Sequence, residues 1–230
     1  MNILITNDDG IDAPGIKALE KALAKTGHNC ITIAPKHQYS ECSHKINTRV
    51  KLKLKEEGDN RYSIEGSPAD CVRLGLYTQV EKTHLVCSGI NAGGNLGVDI
   101  YYSGTVAAAR EALIHGIPAI AFSNYLKQNE AIDWENATEV IAHKFEQLLE
   151  HCSKKSILNI NLPWYLKNWP KLEWIESPLE RAPLDLSFQE YEDGWKYNGD
   201  YPNRKREAGS DVDTCFSGNI SMSKVPLAHF

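Results

Sequence analysis

The sequence of 230 residues predicts an α/β protein built on a doubly wound, mostly parallel sheet with helices on both faces. Two observations carry this. Short apolar, β-branched runs alternate with segments of helical periodicity, and each run stops at a turn signal of Gly, Pro, Asp or Asn. Strand, helix and strand also follow one another within about 30 residues, which imposes a right-handed crossover and parallel pairing.

The first run, Ile3-Leu4-Ile5-Thr6, reads as a buried strand and ends at Asn7-Asp8-Asp9-Gly10. Beyond Pro14-Gly15, residues Ile16, Leu19 and Leu23 recur at helical spacing up to Gly27, a C-cap candidate. Cys30-Ile31-Thr32-Ile33-Ala34 is the second strand, stopped by Pro35. A polar loop follows, in which Ser40 or Ser43 can offer an oxygen toward the first acidic turn. From Thr48 to Leu54, apolar residues alternate with Arg49, Lys51 and Lys53, predicting a strand with one wet face at an edge or in a hairpin. Ser67-Pro68-Ala69-Asp70 has the N-cap, Pro and acid of a helix start, which gives Asp70 a structural role.

His84 to Cys87 is the next strand, and it runs into a glycine-rich loop from Ser88 to Gly97. Tyr102-Ser103-Gly104-Thr105 then opens an alanine-rich helix to His115-Gly116. Free N–H groups at that helix start make a phosphate cradle, with the Ser103 and Thr105 hydroxyls as extra donors or, alternatively, as plain caps. Residues 117–123 form a further strand, Val140 to Leu149 the inner face of a long helix, and Ser156 to Leu162 the strand that closes this part. The domain division follows: 1–163 is the α/β core carrying the site. Residues 164–230, rich in Trp, Tyr, Pro and charge as far as Asn203, are an extended or hairpin portion that completes the fold and joins subunits, its aromatics able either to stack on a base or to pack against a neighbouring chain. Asp211-Val212-Asp213 receives no chemistry.

In open α/β sheets ligands bind at the carboxyl ends of strands, which is where Asp8 and Asp9 stand. Two adjacent carboxylates repel, and a divalent cation such as Mg²⁺ or Mn²⁺, completed by water and substrate phosphate, compensates them. As a lone acidic turn, the same pair reads equally well as the cap of the first helix. Composition narrows the partners. The net charge is −5 and charges of both signs are interspersed, so no nucleic-acid polymer is expected. There is no signal-peptide pattern and no bilayer-length apolar run, which predicts a cytoplasmic protein without membrane contact. Six cysteines lacking any CxxC spacing read as reduced thiols.

Taken together, Asn7-Asp8-Asp9-Gly10, Ala34-Pro35 with Ser40, Ser67-Pro68-Ala69-Asp70, Ser88-Gly89-Ile90-Asn91, Gly94-Asn95-Leu96-Gly97, Tyr102 to Ala109 and Gly116-Ile117-Pro118-Ala119 resemble the ordered motifs of the SurE family, the stationary-phase survival proteins that are metal-dependent 5′-nucleotidases. The resemblance is dense over residues 1 to 123 and looser beyond Pro163. It implies a Rossmann-like core whose protruding C-terminal portion exchanges segments between subunits, giving a homodimer or homotetramer. It also implies one divalent metal on Asp8, Asp9, Ser40 and Asn91, and substrate phosphate on Asn95, Ser103, Gly104 and Thr105. Glu41 departs from the pattern, standing where the family usually has Gly.

The expected function is hydrolysis of nucleoside 5′-monophosphates with metal-bound water as nucleophile and Asp8 or Asp9 as base. A haloacid-dehalogenase-type phosphatase needs an acid two residues after its nucleophile, where Gly10 follows Asp8. A receiver domain needs a phosphorylatable Asp at Val86-Cys87-Ser88. From another class, a nucleotide-binding or sensing module keeps the cradle without turnover.

Overall fold

The computed structural model describes residues 1–39, 42–78, 82–127 and 130–227. Strand β1 (Asn2–Thr6) leads through helix α1 (Pro14–Ala24) to β2 (Asn29–Pro35), and β1 and β2 pair in parallel. The hairpin β3 (Leu54–Gly58) and β4 (Arg61–Ile64) follows, then α2 (Pro68–Thr78) and β5 (Leu85–Ala92). Helix α3 (Gly104–Ile114), β6 (Ala119–Asn124), α4 (Trp134–His151) and β7 (Ser156–Leu162) continue the alternation. The C-terminal portion adds β8 (Trp174–Glu176), a hairpin β9 (Phe188–Tyr191) and β10 (Gly194–Tyr197), α5 (Asp211–Phe216) and β11 (Ile220–Pro226).

The main sheet runs β3-β4-β2-β1-β5-β6-β7-β11-β8. Its six central strands, β4 to β7, are parallel, while β3 at one end and β11 and β8 at the other run against them. From β1 the chain winds outward through β2 and β4, then returns to the other side of β1 with β5. The strand order therefore reverses between β1 and β5, the topological switch point where such sheets bind ligands.

Two apolar layers sandwich this sheet. Ile3, Ile5, Cys87, Phe122 and Ile160 face α1 and α4, with Leu19, Ile141 and Phe145 among the contributions of those helices. On the opposite face, Leu4, Val86, Ala119 and Ala121 meet Val72 of α2 and Val106, Ala109 and Ala112 of α3. Alternate residues of one strand thus serve opposite layers, and the near-continuous apolar runs follow from burial on both sides. Gly15 is required for the packing of α1, because a Cβ there would lie 1.9 Å from the Ile90 carbonyl oxygen.

The expected helix start at Ser67 is present. The Ser67 hydroxyl accepts the Asp70 N–H at 3.1 Å, and the Asp70 carboxylate accepts the Ser67 N–H at 2.9 Å. The expected strand from Thr48 to Leu54 is displaced: the ladder begins only at Leu54, which pairs with Ile64. Leu52 and Leu54 do pack on the apolar layer, while Val50 is exposed. Alternation there reports which side chains turn inward, but a strand also needs a neighbouring backbone, and β4 supplies one only from Leu54 onward.

Candidate active site

The turn after β1 is held by Asn7. Its buried side chain accepts the Gly10 N–H at 3.2 Å and donates to the Gly10 carbonyl at 2.9 Å. Gly10 has φ +103°, a conformation that L side chains rarely adopt. Helix α1 starts at Pro14 with Ala13 as an N-cap lacking any side-chain bond, so Asp8 and Asp9 do not cap it. They project instead into a cleft of about 600 Å³ whose polar lining includes Gln38, Asn91, Asn95 and Ser103.

Asp8 is almost fully buried and sits on the first turn of α3. A Cβ on Gly104 would lie 2.8 Å from Asp8 Cβ and 3.0 Å from its Oδ2, so only glycine lets the helix start approach this closely. The Thr105 hydroxyl donates to Asp8 Oδ1. Burial pushes the Asp8 carboxyl up to about 6 from its ordinary 3.8, with the Thr105 bond opposing and the Asp9 charge reinforcing that shift. Burial also raises Asp9, against the Ala92 N–H that donates to its Oδ2 at 3.1 Å. No cation is among the groups acting on either carboxyl among the described residues.

The structure brings together most of the residues singled out from the sequence. Asn91 lies near the end of β5, beyond a register shift against β6, and its Nδ2 donates to the Gly93 carbonyl at 2.8 Å. Asn95 is locked into the floor: its N–H donates to Asn161 Oδ1 at 2.8 Å, its carbonyl accepts from Asn159 and Asn161, and its Nδ2 reaches Ser123 Oγ at 2.8 Å. Ser103 is the N-cap of α3, its hydroxyl accepting the Val106 N–H at 3.0 Å, and it also lines the cleft. Thr105 is fully buried, and its hydroxyl, expected at the substrate phosphate, is given to Asp8. The first N–H groups of a helix have no intrahelical partner; that of Thr105 also bonds the Asp8 carboxylate, which leaves that of Gly104 for a ligand.

Ser40 and Glu41 lie outside the described residues. Just beyond them the same loop is anchored three times. Ser43 binds the carbonyls of Tyr101 and Tyr102, His44 binds Glu111 of α3 at 2.7 Å, and Asn47 binds Asp70. Arg73 and His115 also contact Glu111, and despite burial the His44 and Arg73 bonds hold its carboxyl below the usual range.

Sequence reasoning offered the aromatics after Trp164 as a stacking surface without naming which of them reach the cleft. Tyr102, Tyr197 and Tyr201 add aromatic rings to the lining of the cleft and Leu184 an aliphatic side chain, and Asp99 lines it as well. Arg204 is buried against Asp99 at 2.9 Å, and the Tyr201 hydroxyl donates to the same carboxylate. The density of aromatics after Trp164 was the available signal, but it carried no address. Asp211, likewise unassigned, is fully buried and accepts the N–H groups of Gly97 and Glu180, each at 2.8 Å, and of Val212 at 2.9 Å.

Comparison with known proteins agrees with this geometry. The family described as "Survival protein SurE" matches residues 3–180. A protein of Synechocystis sp. named "Putative 5'-nucleotidase" is 43% identical over 226 residues, 98% of this chain and 99% of its own length. The "5'-nucleotidase SurE" of Clostridium beijerinckii is 46% identical over 175 residues, 71% of this chain and 67% of its own. Among solved structures, the SurE protein from Aquifex aeolicus superposes with a TM-score of 0.89 at 31% identity, covering 100% of this chain and 95% of that one. The chain belongs to the SurE family.

Proposed function

We propose that this cleft hydrolyses nucleoside 5′-monophosphates to nucleoside and phosphate, with one divalent cation, Mg²⁺ or Mn²⁺, as cofactor. The carrying observation is the Asp8–Asp9 pair: adjacent carboxylates withdrawn from water, without a cation beside them among the described residues, at the switch point of a parallel sheet and against a helix N-terminus. Burying ionised carboxylates in this way is costly unless a cation compensates them. The oxygen-rich donor set suits a hard cation, and the described residues hold no cluster of three His, Cys, Asp or Glu that would favour a softer one. Asp8, Asp9 and Asn91 would hold it, with Ser40 from the loop outside the described residues. When bound, such an ion polarises a phosphoryl oxygen and lowers the pKa of a water.

The chain's own residues do the remainder. The Gly104 N–H and the Ser103 hydroxyl meet the phosphoryl oxygens, where preorganised donors stabilise developing charge, while Thr105 holds Asp8 through its hydroxyl and its N–H. The Asn95 amide can join them, since the Ser123 hydroxyl serves as donor or acceptor and lets the amide turn its N–H to the cleft. One of the two aspartates takes the proton of the attacking water. The names carried by the relatives support the same reaction.

We assign residues 164–230 to completing the fold and to homodimer or homotetramer contacts. The exposed Phe188, Tyr191 and Trp195 of the β9–β10 hairpin support this. Six free thiols support a cytoplasmic setting, and no helix among the described residues is long and apolar enough to cross a membrane. Chelator-treated protein should release phosphate from nucleoside 5′-monophosphates only after Mg²⁺ or Mn²⁺ is returned. Absence of release with either ion across all common bases would overturn the reading.

A further inference from the structure

The cleft is chemically divided. The sheet edge and the start of α3 give the cleft a polar end with Asp8, Asp9, Asn91, Asn95 and Ser103, and the C-terminal portion adds Leu184, Tyr197 and Tyr201 to the same lining. A phosphate ester held by those polar groups has these larger side chains available to its organic part. We propose that Leu184, Tyr197 and Tyr201 form the wall against which the base of the substrate stacks. The proposal rests on the nucleotidase reading and names the feature that separates a base-bearing substrate from other phosphate esters.

Tyr201 is built as a fixed plate. Its hydroxyl donates to Asp99, and the Arg204 guanidinium lies 4.9 Å from its ring centroid while making two bonds to the same carboxylate, at 3.1 and 2.9 Å. The Phe216 ring is 6.0 Å away on the surrounding packing. A ring held in this way loses little conformational entropy when a ligand stacks on it. The hydroxyl is already committed and the Asp99 charge is paired, so Tyr201 offers the base a π-face rather than hydrogen-bond readout. Tyr197 stands at the end of β10, its ring edge-on to Phe188 at 5.6 Å, and it is 45% exposed. It can therefore be replaced without opening the core.

Calorimetric titration with adenosine and, separately, with inorganic phosphate tests the wall. Adenosine carries the base without phosphate, and phosphate probes the polar end alone. Tyr197→Ala should weaken adenosine about tenfold, in line with base–aromatic stacking, and shift phosphate by less than about twofold. Tyr197→Phe should restore adenosine affinity. Unchanged adenosine binding in Tyr197→Ala, equal weakening of both ligands, or a native protein that fails to bind adenosine would overturn the proposal. The two readings fail separately. A protein that binds adenosine through Tyr197 yet releases no phosphate from adenosine monophosphate refutes the hydrolase reading alone. One that hydrolyses this ester and ribose 5-phosphate with equal KM refutes the wall alone.

Discussion

Replacing Asp8 with Asn should remove turnover and at the same time stabilise the metal-free protein at neutral pH. Burial holds the Asp8 carboxyl at about 6 against an ordinary 3.8. Below the lower value the group is protonated in both folded and unfolded chains and contributes nothing. Between the two values the folded state binds the extra proton, so stability falls as pH rises, and above about 6 the loss is complete. At about 1.4 kcal/mol per pH unit the interval amounts to roughly 3 kcal/mol. Asparagine is neutral throughout, keeps the shape and still accepts the Thr105 hydroxyl. For a chain of this size, about 3 kcal/mol corresponds to a Tm rise of roughly 6–12 °C, reached in full above about pH 6 and shrinking as pH falls toward 3.8. Melting curves in chelator from about pH 4.5 to pH 8 measure it. Parallel Tm profiles for the two proteins, or a less stable variant near pH 8, would refute the assignment of Asp8 as a buried, uncompensated carboxylate. Added Mn²⁺ should then raise the Tm of the native protein far more than that of the variant.

Gly104→Ala should cut kcat by about 100-fold, because a Cβ 2.8 Å from Asp8 Cβ must displace one of them, and misplacement by about 1 Å costs that much; native kinetics would show that the helix start does not seat Asp8. Thr105→Val removes the only hydroxyl bonded to Asp8 among the described residues, so the acid limb of the pH–rate profile should move to higher pH while phosphate inhibition stays, and an unmoved limb would return Thr105 to a packing role. Asp211→Ala strands the N–H groups of Gly97, Glu180 and Val212, and should lower stability by on the order of 3 kcal/mol in urea titration; an unchanged midpoint would mean that water replaces the carboxylate. A single turnover in ¹⁸O-water should place label in the released phosphate, whereas a trapped aspartyl phosphate would assign Asp8 or Asp9 a nucleophilic role.

Which features were legible in the sequence follows from how local their causes are. Asp8 and Asp9 could be placed at a sheet edge because they follow a strand buried on both faces, and such strands announce themselves as apolar runs, whereas Asn91, carried within β5, was given only by the family resemblance. Ser103 and Ser67 are caps set by their own next three residues. The orientation of the Thr105 hydroxyl was not legible, since it depends on how closely Asp8 approaches a glycine 96 positions away in sequence, and that closeness exists only in the packed sheet. The same holds for the Asp99–Arg204 pair and for Tyr197 and Tyr201. Their partners are set by the path of the C-terminal portion, about which aromatic composition says only that large surfaces need covering. The misplaced third strand has the opposite cause: alternation from Thr48 was real for Leu52 and Leu54, but no partner backbone lies beside the earlier residues.

Strand β11 pairs antiparallel with β7 on one side and parallel with β8 on the other, although it follows both in the chain. On the ribosome, β7 therefore emerges with one edge open, and β8 has no strand to join until residues 220–226 have been made. That open edge belongs to a strand whose residues from Ile157 to Leu162 are all buried in the finished fold. An unpaired, apolar edge is a template for any extended segment that reaches it. The nascent chain thus passes through a stage in which its own last strand competes with strands of other chains for one seat. Premature termination anywhere before Ile220 leaves that seat open for good.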